Sequence, residues 1–243
     1  MNKSVSIIIP AYNEEKNLES SVNFTLDGLK RNEISDFEIL IFDDASTDKT
    51  GKIADDLAGK YNAIQVVHNP KNMNLGYNIV RGFQLATKRF VGWISGDDTS
   101  EPETLDNLFR ALGSSDIVIP YVENPEVRHW LRRFISETYG YIINMTFGLD
   151  IRYYNGLCFF KTSMVKEMPV STYGFAYMTE ILVKLLKSGA TFIEVPLIVR
   201  ARGEGATRAF CLKNIASVFK TFLTLFWEVQ ILRKRINIAD MKD

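Results

Sequence analysis

Residues 4–120 alternate short β-branched or aromatic runs with segments of helical spacing, and this alternation limits the folds open to the chain. Val5-Ser6-Ile7-Ile8-Ile9 reads as a buried strand closed by Pro10. Glu14 to Arg31 then repeats Leu18, Val22, Leu26 and Leu29 at helical intervals. The pattern recurs. Strands are predicted at Phe37–Phe42, Ile64–Val67, Phe90–Ile94 and Asp116–Pro120. Helices are predicted to start at Thr47 or Asp48 and run to about Lys60, and over Ile79–Thr87 and Glu103–Leu112. Alternation of this kind predicts an α/β chain with a mostly parallel central sheet and helices on both faces. Ligands on such sheets bind beyond the carboxyl ends of the strands. Here those ends carry Pro10-Ala11-Tyr12-Asn13-Glu14, Asp43-Asp44 and Asp97-Asp98, so polar and acidic residues converge on one edge.

After residue 121 the rhythm changes. Val127–Phe147 reads as an aromatic-rich helix, Gly156–Phe160 as a strand and Thr179–Ser188 as a helix. Thr191–Val199 reads as a strand, and Pro196 within it predicts an edge position. Arg200–Arg208 is a basic, glycine-containing loop, and Cys211–Arg235 a long amphipathic helix. With no linker or repeat in view, one domain over 1–210 and a helical elaboration over 211–243 are expected.

Composition excludes several classes. The 243 residues hold 29 Lys plus Arg and 29 Asp plus Glu, a net charge of zero that argues against a generic nucleic-acid binder. The zero hides a split: residues 1–121 carry 12 basic and 18 acidic side chains, and residues 122–243 carry 17 and 11. Two cysteines make no disulfide framework and point to a reducing compartment. Only His68 and His129 are present, too few for a histidine-rich metal centre. No signal peptide or membrane span is expected, because Lys220 and Glu228 interrupt the longest apolar region, Ile215–Leu232.

Two constellations carry chemistry. Asp97 and Asp98 follow a strand, and paired carboxylates are hard ligands for Mg²⁺ or Mn²⁺, ions that also bind diphosphates; a Gly-Asp-Asp turn is the plainer alternative. Arg200, Arg202 and Arg208 with Thr207 and two glycines suit phosphate, with a solvated loop as the alternative.

These pieces also carry a resemblance. Ser6 to Leu18, containing Pro10-Ala11-Tyr12-Asn13-Glu14, is similar to the opening of family-2 glycosyltransferases, with their P-x-Y-N-E signature. Asp43-Asp44-Ala45-Ser46-Thr47-Asp48-Lys49-Thr50 resembles their D-D-x-S-x-D-x-T motif, and Asn74-Leu75-Gly76 their N-x-G loop. Ser95-Gly96-Asp97 stands where the family has D-x-D. Glu194-Val195-Pro196 with Arg202-x-x-Gly205-x-Thr207-Arg208 resembles the V-P…R-x-x-G-E-S-K tail of dolichyl-phosphate mannose synthases and related polyprenyl-phosphate sugar transferases.

The resemblance implies a GT-A (Rossmann-like) fold and sugar transfer from a nucleotide diphosphate sugar with Mg²⁺ or Mn²⁺. It implies that Pro10, Tyr12 and Glu14 hold the nucleoside, that Asp43 contacts it with Asp44 beside it, and that Arg81 helps the diphosphate. Asp97, Arg202 and Arg208 are the implied catalytic residues, and Asp97 and Asp98 the metal ligands. Arg132, Arg133 and Ser136 join Arg202, Thr207 and Arg208 as acceptor-binding residues. Ser95 departs from the usual first Asp, which leaves Asp98 or the donor phosphates to complete the metal site.

The acceptor follows from a missing base. Many relatives place a general-base Asp before a helix; here its place falls on Met178, with Glu180 two residues on. A sugar hydroxyl needs such a base, whereas a phosphate is already an anionic nucleophile. Met178 thus favours a lipid-phosphate acceptor, and Glu180 remains the alternative base for a saccharide acceptor. Ser95 keeps a third reading open, a catalytically lapsed nucleotide-sugar-binding subunit.

A lipid acceptor implies a membrane surface. Arg128, Arg132 and Arg133 flank Trp130, Leu131, Phe134 and Ile135. In the last helix Leu212, Ile215, Phe219, Phe222, Phe226 and Val229 form one face, opposed by Asn214, Ser217, Thr221, Thr224 and Glu228; packing on the core is the alternative use of that face. The expected location is peripheral, on the cytoplasmic side of a membrane, directly or through a membrane-protein partner or homodimer.

Overall fold

The computed structural model describes residues 3–96, 101–199 and 212–237. Seven strands form one sheet in the order β3-β2-β1-β4-β6-β5-β7. They are β1 (Ser4–Ala11), β2 (Asp36–Asp43), β3 (Ile64–His68), β4 (Phe90–Trp93), β5 (Ile117–Val122), β6 (Phe159–Lys161) and β7 (Phe192–Leu197). β1 pairs in parallel with β2 and β4, β2 with β3, and β5 with β7. β6 runs antiparallel between β4 and β5. Every strand but β6 therefore ends on the same edge.

The β-branched runs behave as their composition predicts. Val5, Ile7, Ile8 and Ile9 are all fully buried, as are Ile39, Ile41 and Phe42 in β2, so both faces of the central strands are covered. The helices are α1 (Leu18–Arg31), α2 (Thr50–Lys60), α3 (Leu75–Leu85), α4 (Pro102–Ala111), α5 (Trp130–Phe147), α6 (Thr162–Lys166), α7 (Tyr177–Lys187) and α8 (Leu212–Phe226). α1 packs against α2 and α4, and α3 against α6 and β1. Gly82 permits that last approach, since a Cβ there would lie 2.5 Å from the Ile8 side chain.

Several boundaries differ from the sequence expectation. β1 continues through Pro10 to Ala11, in register with Phe42 and Asp43, while its pairing with β4 ends at Ile8. Residues 14–17 form a turn, and α1 begins only at Leu18. α3 starts at Leu75, four residues before the apolar spacing suggests. A short 3₁₀ turn at Pro125–Val127 precedes α5. The proline-bearing β7 is an edge strand, as expected.

The last helix differs more. It ends at Phe226, and a π-helical turn over Trp227–Ile231 follows. Among the described side chains Thr221, Leu225 and Val229 are buried and share a stripe at i, i+4 and i+8, and half-buried Phe222 packs beside them on Phe147. Phe219, Leu223, Phe226 and Trp227 are exposed. Thr221, expected on the solvent side, is buried because its hydroxyl donates to the Ser217 carbonyl at 3.0 Å and needs no water.

Candidate active site

The loops after β1 and β2 clasp each other at the sheet edge. Asn13 lies in the left-handed region at φ 57°, which aims its amide across the gap. Its N–H donates to Ser46 Oγ at 3.0 Å, and its Oδ1 accepts from the Thr47 N–H at 2.8 Å. The Glu14 N–H donates to Thr50 Oγ1 at 2.8 Å, and the Glu15 N–H to Asp48 Oδ2 at 3.2 Å. Asp48 also accepts the Thr50 N–H at 2.9 Å, so it holds the start of α2. Ala45 and Asn74 have positive φ as well, so three non-glycine residues with strained backbone cluster on this one edge.

Asp43, which ends β2, and Asp44, the next residue, have different surroundings. Asp44 is buried, and its carboxylate accepts from Asn69 Nδ2 at 2.7 Å, the Met73 N–H at 2.7 Å and the Asn74 N–H at 3.0 Å. Asp44 thus anchors the loop that carries Asn74-Leu75-Gly76. Asp44→Ala would leave the Met73 N–H without an acceptor, while Asn69 Nδ2 would keep Asn78 Oδ1 at 2.6 Å and the Asn74 N–H would keep Asn72 Oδ1 at 3.2 Å. It should cost about 2–3 kcal/mol of stability and loosen that loop, read by thermal denaturation and by nucleotide affinity. Asp43 accepts from the Ser46 N–H at 3.1 Å through Oδ1, and its Oδ2 lies 2.9 Å from His68 Nδ1. Burial acts to raise the Asp43 carboxyl, but the hydrogen bonds from Ser46 and His68 outweigh it and hold it below the ordinary carboxylate range.

The other implied donor residues lie at the end of β1, on the loop after it and on α3. Pro10 is half-buried at the end of β1, and Tyr12 beyond it is exposed. Glu14 Oε2 accepts from Asn17 Nδ2 at 2.8 Å. Arg81 lies on α3, hydrogen-bonded to Gln84 Oε1 at 3.1 Å, in a shallow cleft with Tyr77, Val80 and Tyr173. Gly76 makes that cleft possible, because a Cβ there would come 2.4 Å from the Tyr173 carbonyl oxygen.

Asp97, Asp98, Arg202, Thr207 and Arg208 lie outside the described residues. Their approaches are described. The Ser95 carbonyl accepts from Ser21 Oγ at 2.8 Å, and Gly96 packs so closely on β1 that a Cβ would lie 2.9 Å from the Pro10 carbonyl. The chain therefore enters Asp97-Asp98 against the Pro10-Tyr12 segment. By their chemistry alone, two successive carboxylates are hard ligands of the kind that Mg²⁺ or Mn²⁺ takes. β7 ends at Leu197 on the same edge, three residues before the arginine-bearing segment 200–208 in sequence.

Arg132, Arg133 and Ser136 lie in the first two turns of α5, which leaves the sheet at that edge after β5. Arg133 pairs with Glu137 at 3.6 Å. Glu180 is buried to 1% exposure. Its Oε1 accepts from the Ser171 N–H at 2.8 Å, from Ser171 Oγ at 2.8 Å and from Lys184 Nζ at 2.5 Å; its Oε2 accepts the Thr172 N–H at 3.1 Å. Sequence reasoning missed the part played by His68 and Asn69 here. Their position at the carboxyl end of the third strand was the available signal.

A seven-stranded, mostly parallel sheet with acidic residues at its strand ends is the GT-A architecture, and the comparisons agree with it. A family model described as glycosyl transferase family 2 matches residues 6–168. The chain belongs to that family and is a glycosyltransferase. It is 31% identical over 246 residues to a dolichol-phosphate mannosyltransferase of Pyrococcus furiosus, covering 94% of this chain but 66% of that protein's length. It is 24% identical to an undecaprenyl-phosphate mannosyltransferase of Micrococcus luteus, covering 96% of this chain and 99% of that one. Among solved structures, glucosyl-3-phosphoglycerate synthase from Mycobacterium tuberculosis, with Mn²⁺, UDP-glucose and phosphoglyceric acid, shares the fold at a TM-score of 0.69 and 18% identity. That match covers 92% of this chain and 80% of the other.

Proposed function

We propose that this glycosyltransferase moves a sugar, with inversion, from a nucleotide diphosphate sugar to a polyprenyl-phosphate acceptor at a membrane surface. The observation that carries the acceptor class is the state of the head of α7. Met178 is buried and apolar, and both oxygens of Glu180 are taken up by neighbouring donors. Neither offers the base that a sugar hydroxyl requires. A phosphate oxygen needs none. The names of the Pyrococcus and Micrococcus relatives support the same class.

In this reading Pro10, Tyr12, Glu14 and Asp43 hold the nucleoside, and Arg81 serves the diphosphate. Asp97 and Asp98 would hold Mg²⁺ or Mn²⁺, which when bound would supply charge stabilisation to a leaving diphosphate. Arg132, Arg133 and Ser136, with Arg202, Thr207 and Arg208, receive the acceptor phosphate through charge-assisted hydrogen bonds. The acceptor oxygen attacks the anomeric carbon in line as the bond to the diphosphate breaks. Labelled nucleotide sugars incubated with a short polyprenyl phosphate, with and without Mn²⁺, test the reading. Lipid-linked product supports it, and transfer to saccharides alone overturns it.

The membrane contact rests on exposed apolar side chains. Trp130, Phe134, Tyr141 and Met145 of α5 stand out of the surface, as do Phe219 and Leu223 of α8 and Trp227 just after it. Arg128, Arg132 and Arg133 accompany the first group. Among the described residues no helix is long and apolar enough to cross a bilayer, so contact here is interfacial. Trp130→Ser combined with Phe134→Ser should lower partitioning onto phosphatidylserine vesicles by about tenfold or more, measured by co-sedimentation. Unchanged partitioning would remove α5 from the membrane contact.

A further inference from the structure

We propose that His68 is a positioning residue for donor binding, its protonated ring clamping Asp43 in the orientation that receives the nucleoside. The inference rests on the reading of Asp43 as a donor residue.

Register makes the two residues neighbours, because Asp43 and His68 are cross-strand partners at the ends of β2 and β3. The imidazole lies between two carboxylates. Its Nδ1 is 2.9 Å from Asp43 Oδ2, and its Nε2 is 3.0 Å from Asp55 Oδ1 on α2. A carboxylate only accepts, so both contacts need an N–H, and only imidazolium has one on each nitrogen. A neutral ring sets a lone pair against one of the two carboxylates. α2 is shaped around the pair. At Gly51 a Cβ would lie 2.8 Å from Asp43 Oδ2 and 3.5 Å from His68 Cε1. Asp43 is thus held on one oxygen by the turn at Ser46 and on the other by His68, while the imidazole is half-exposed and open to solvent protons.

The charged groups acting on His68 are Asp43 from β2 and Asp55 from α2. Their hydrogen bonds, that of Asp43 first, raise His68 above its ordinary value, and partial burial opposes them less strongly. With a raised value in the fold, the clamp is complete below the ordinary imidazole range. It is lost as pH rises through the raised value. Donor affinity follows the same course, while Asp43 stays ionised throughout.

The test measures GDP and UDP affinity by calorimetry in Mg²⁺ between about pH 5.5 and 9, beside an NMR titration of the His68 ring. In the unaltered protein, affinity should fall about three- to tenfold across the His68 midpoint. His68→Gln should bind that much more weakly at low pH, and its profile should keep only the nucleotide's own titration. Asp55→Asn, at an exposed position on α2, should move the NMR midpoint and the binding midpoint down together. Flat affinity across the measured His68 titration would overturn the proposal. So would an Asp55→Asn variant that moves the ring titration but not binding. Asp43→Asn separates the two readings: unchanged nucleotide affinity in that variant would show that Asp43 is not a donor residue.

Discussion

Replacing Glu180 with alanine should destabilise the fold by about 3–5 kcal/mol, the cost of removing one member of a buried ion pair. The carboxylate is 1% exposed and receives four hydrogen bonds, from the Ser171 amide, the Ser171 hydroxyl, the Thr172 amide and the Lys184 ammonium. Alanine leaves two backbone N–H groups without an acceptor. Lys184 would keep only its 3.2 Å pair with Glu228 and its contact with the Pro169 carbonyl. The loop over 171–174 would loosen, and with it the Tyr173 backbone that packs on Gly76. Thermal denaturation should show the midpoint falling by about 10 °C or more for a chain of this size. Glu180→Gln makes the result decisive about function. A general base changed to its amide keeps the fold and loses about 10²–10⁴ in turnover. A structural carboxylate changed in the same way loses stability, while the folded fraction keeps its turnover, and that is the outcome expected here.

Asp97→Ala should lower metal-dependent transfer by about three orders of magnitude and leave the fold intact. The expectation rests on what a divalent ion supplies to a leaving diphosphate, several kcal/mol of charge stabilisation. It rests also on the approach to Asp97, where Ser95 is held by Ser21 and Gly96 lies against the Pro10 carbonyl. In the proposed site Ser95 stands where the resemblance would put a carboxylate, so fewer protein ligands would share the ion and the loss of Asp97 would weigh more. Steady-state rates over a Mn²⁺ titration, set beside the melting curve, check both halves of the prediction. Full turnover in the variant would show that the ion, if required, is held elsewhere.

Much of this site was legible without coordinates, because the signals are local. The turn chemistry of Asp43-Asp44-Ala45-Ser46 marks a strand end, and alternation places that end on the ligand edge. The division of labour within the motif was not legible. Asp43 and Asp44 are adjacent and identical, yet one faces His68 and the other is consumed by Asn69, Met73 and Asn74. Asp43 is the last residue of β2 and Asp44 the first beyond it, and the partners that separate them, His68 for one and Asn69, Met73 and Asn74 for the other, are 25 to 30 residues away. Glu180 shows the same limit. Its motif position made it an alternative base, and only its packed neighbours show that its lone pairs are taken.

By itself, the sequence determined the strands, most of the helices, the parallel character of the first half and the edge that carries the acidic residues. Each follows from periodicity, β-branching and turn residues acting over a few positions. Tertiary structure alone decided the insertion of antiparallel β6 between β4 and β5, the early start of α3 and the stripe of α8 that packs. It also decided which titratable groups are free and which are bound. The physical reason is common to all four: each depends on a neighbour distant in sequence, brought within hydrogen-bonding or van der Waals reach only once the sheet has formed.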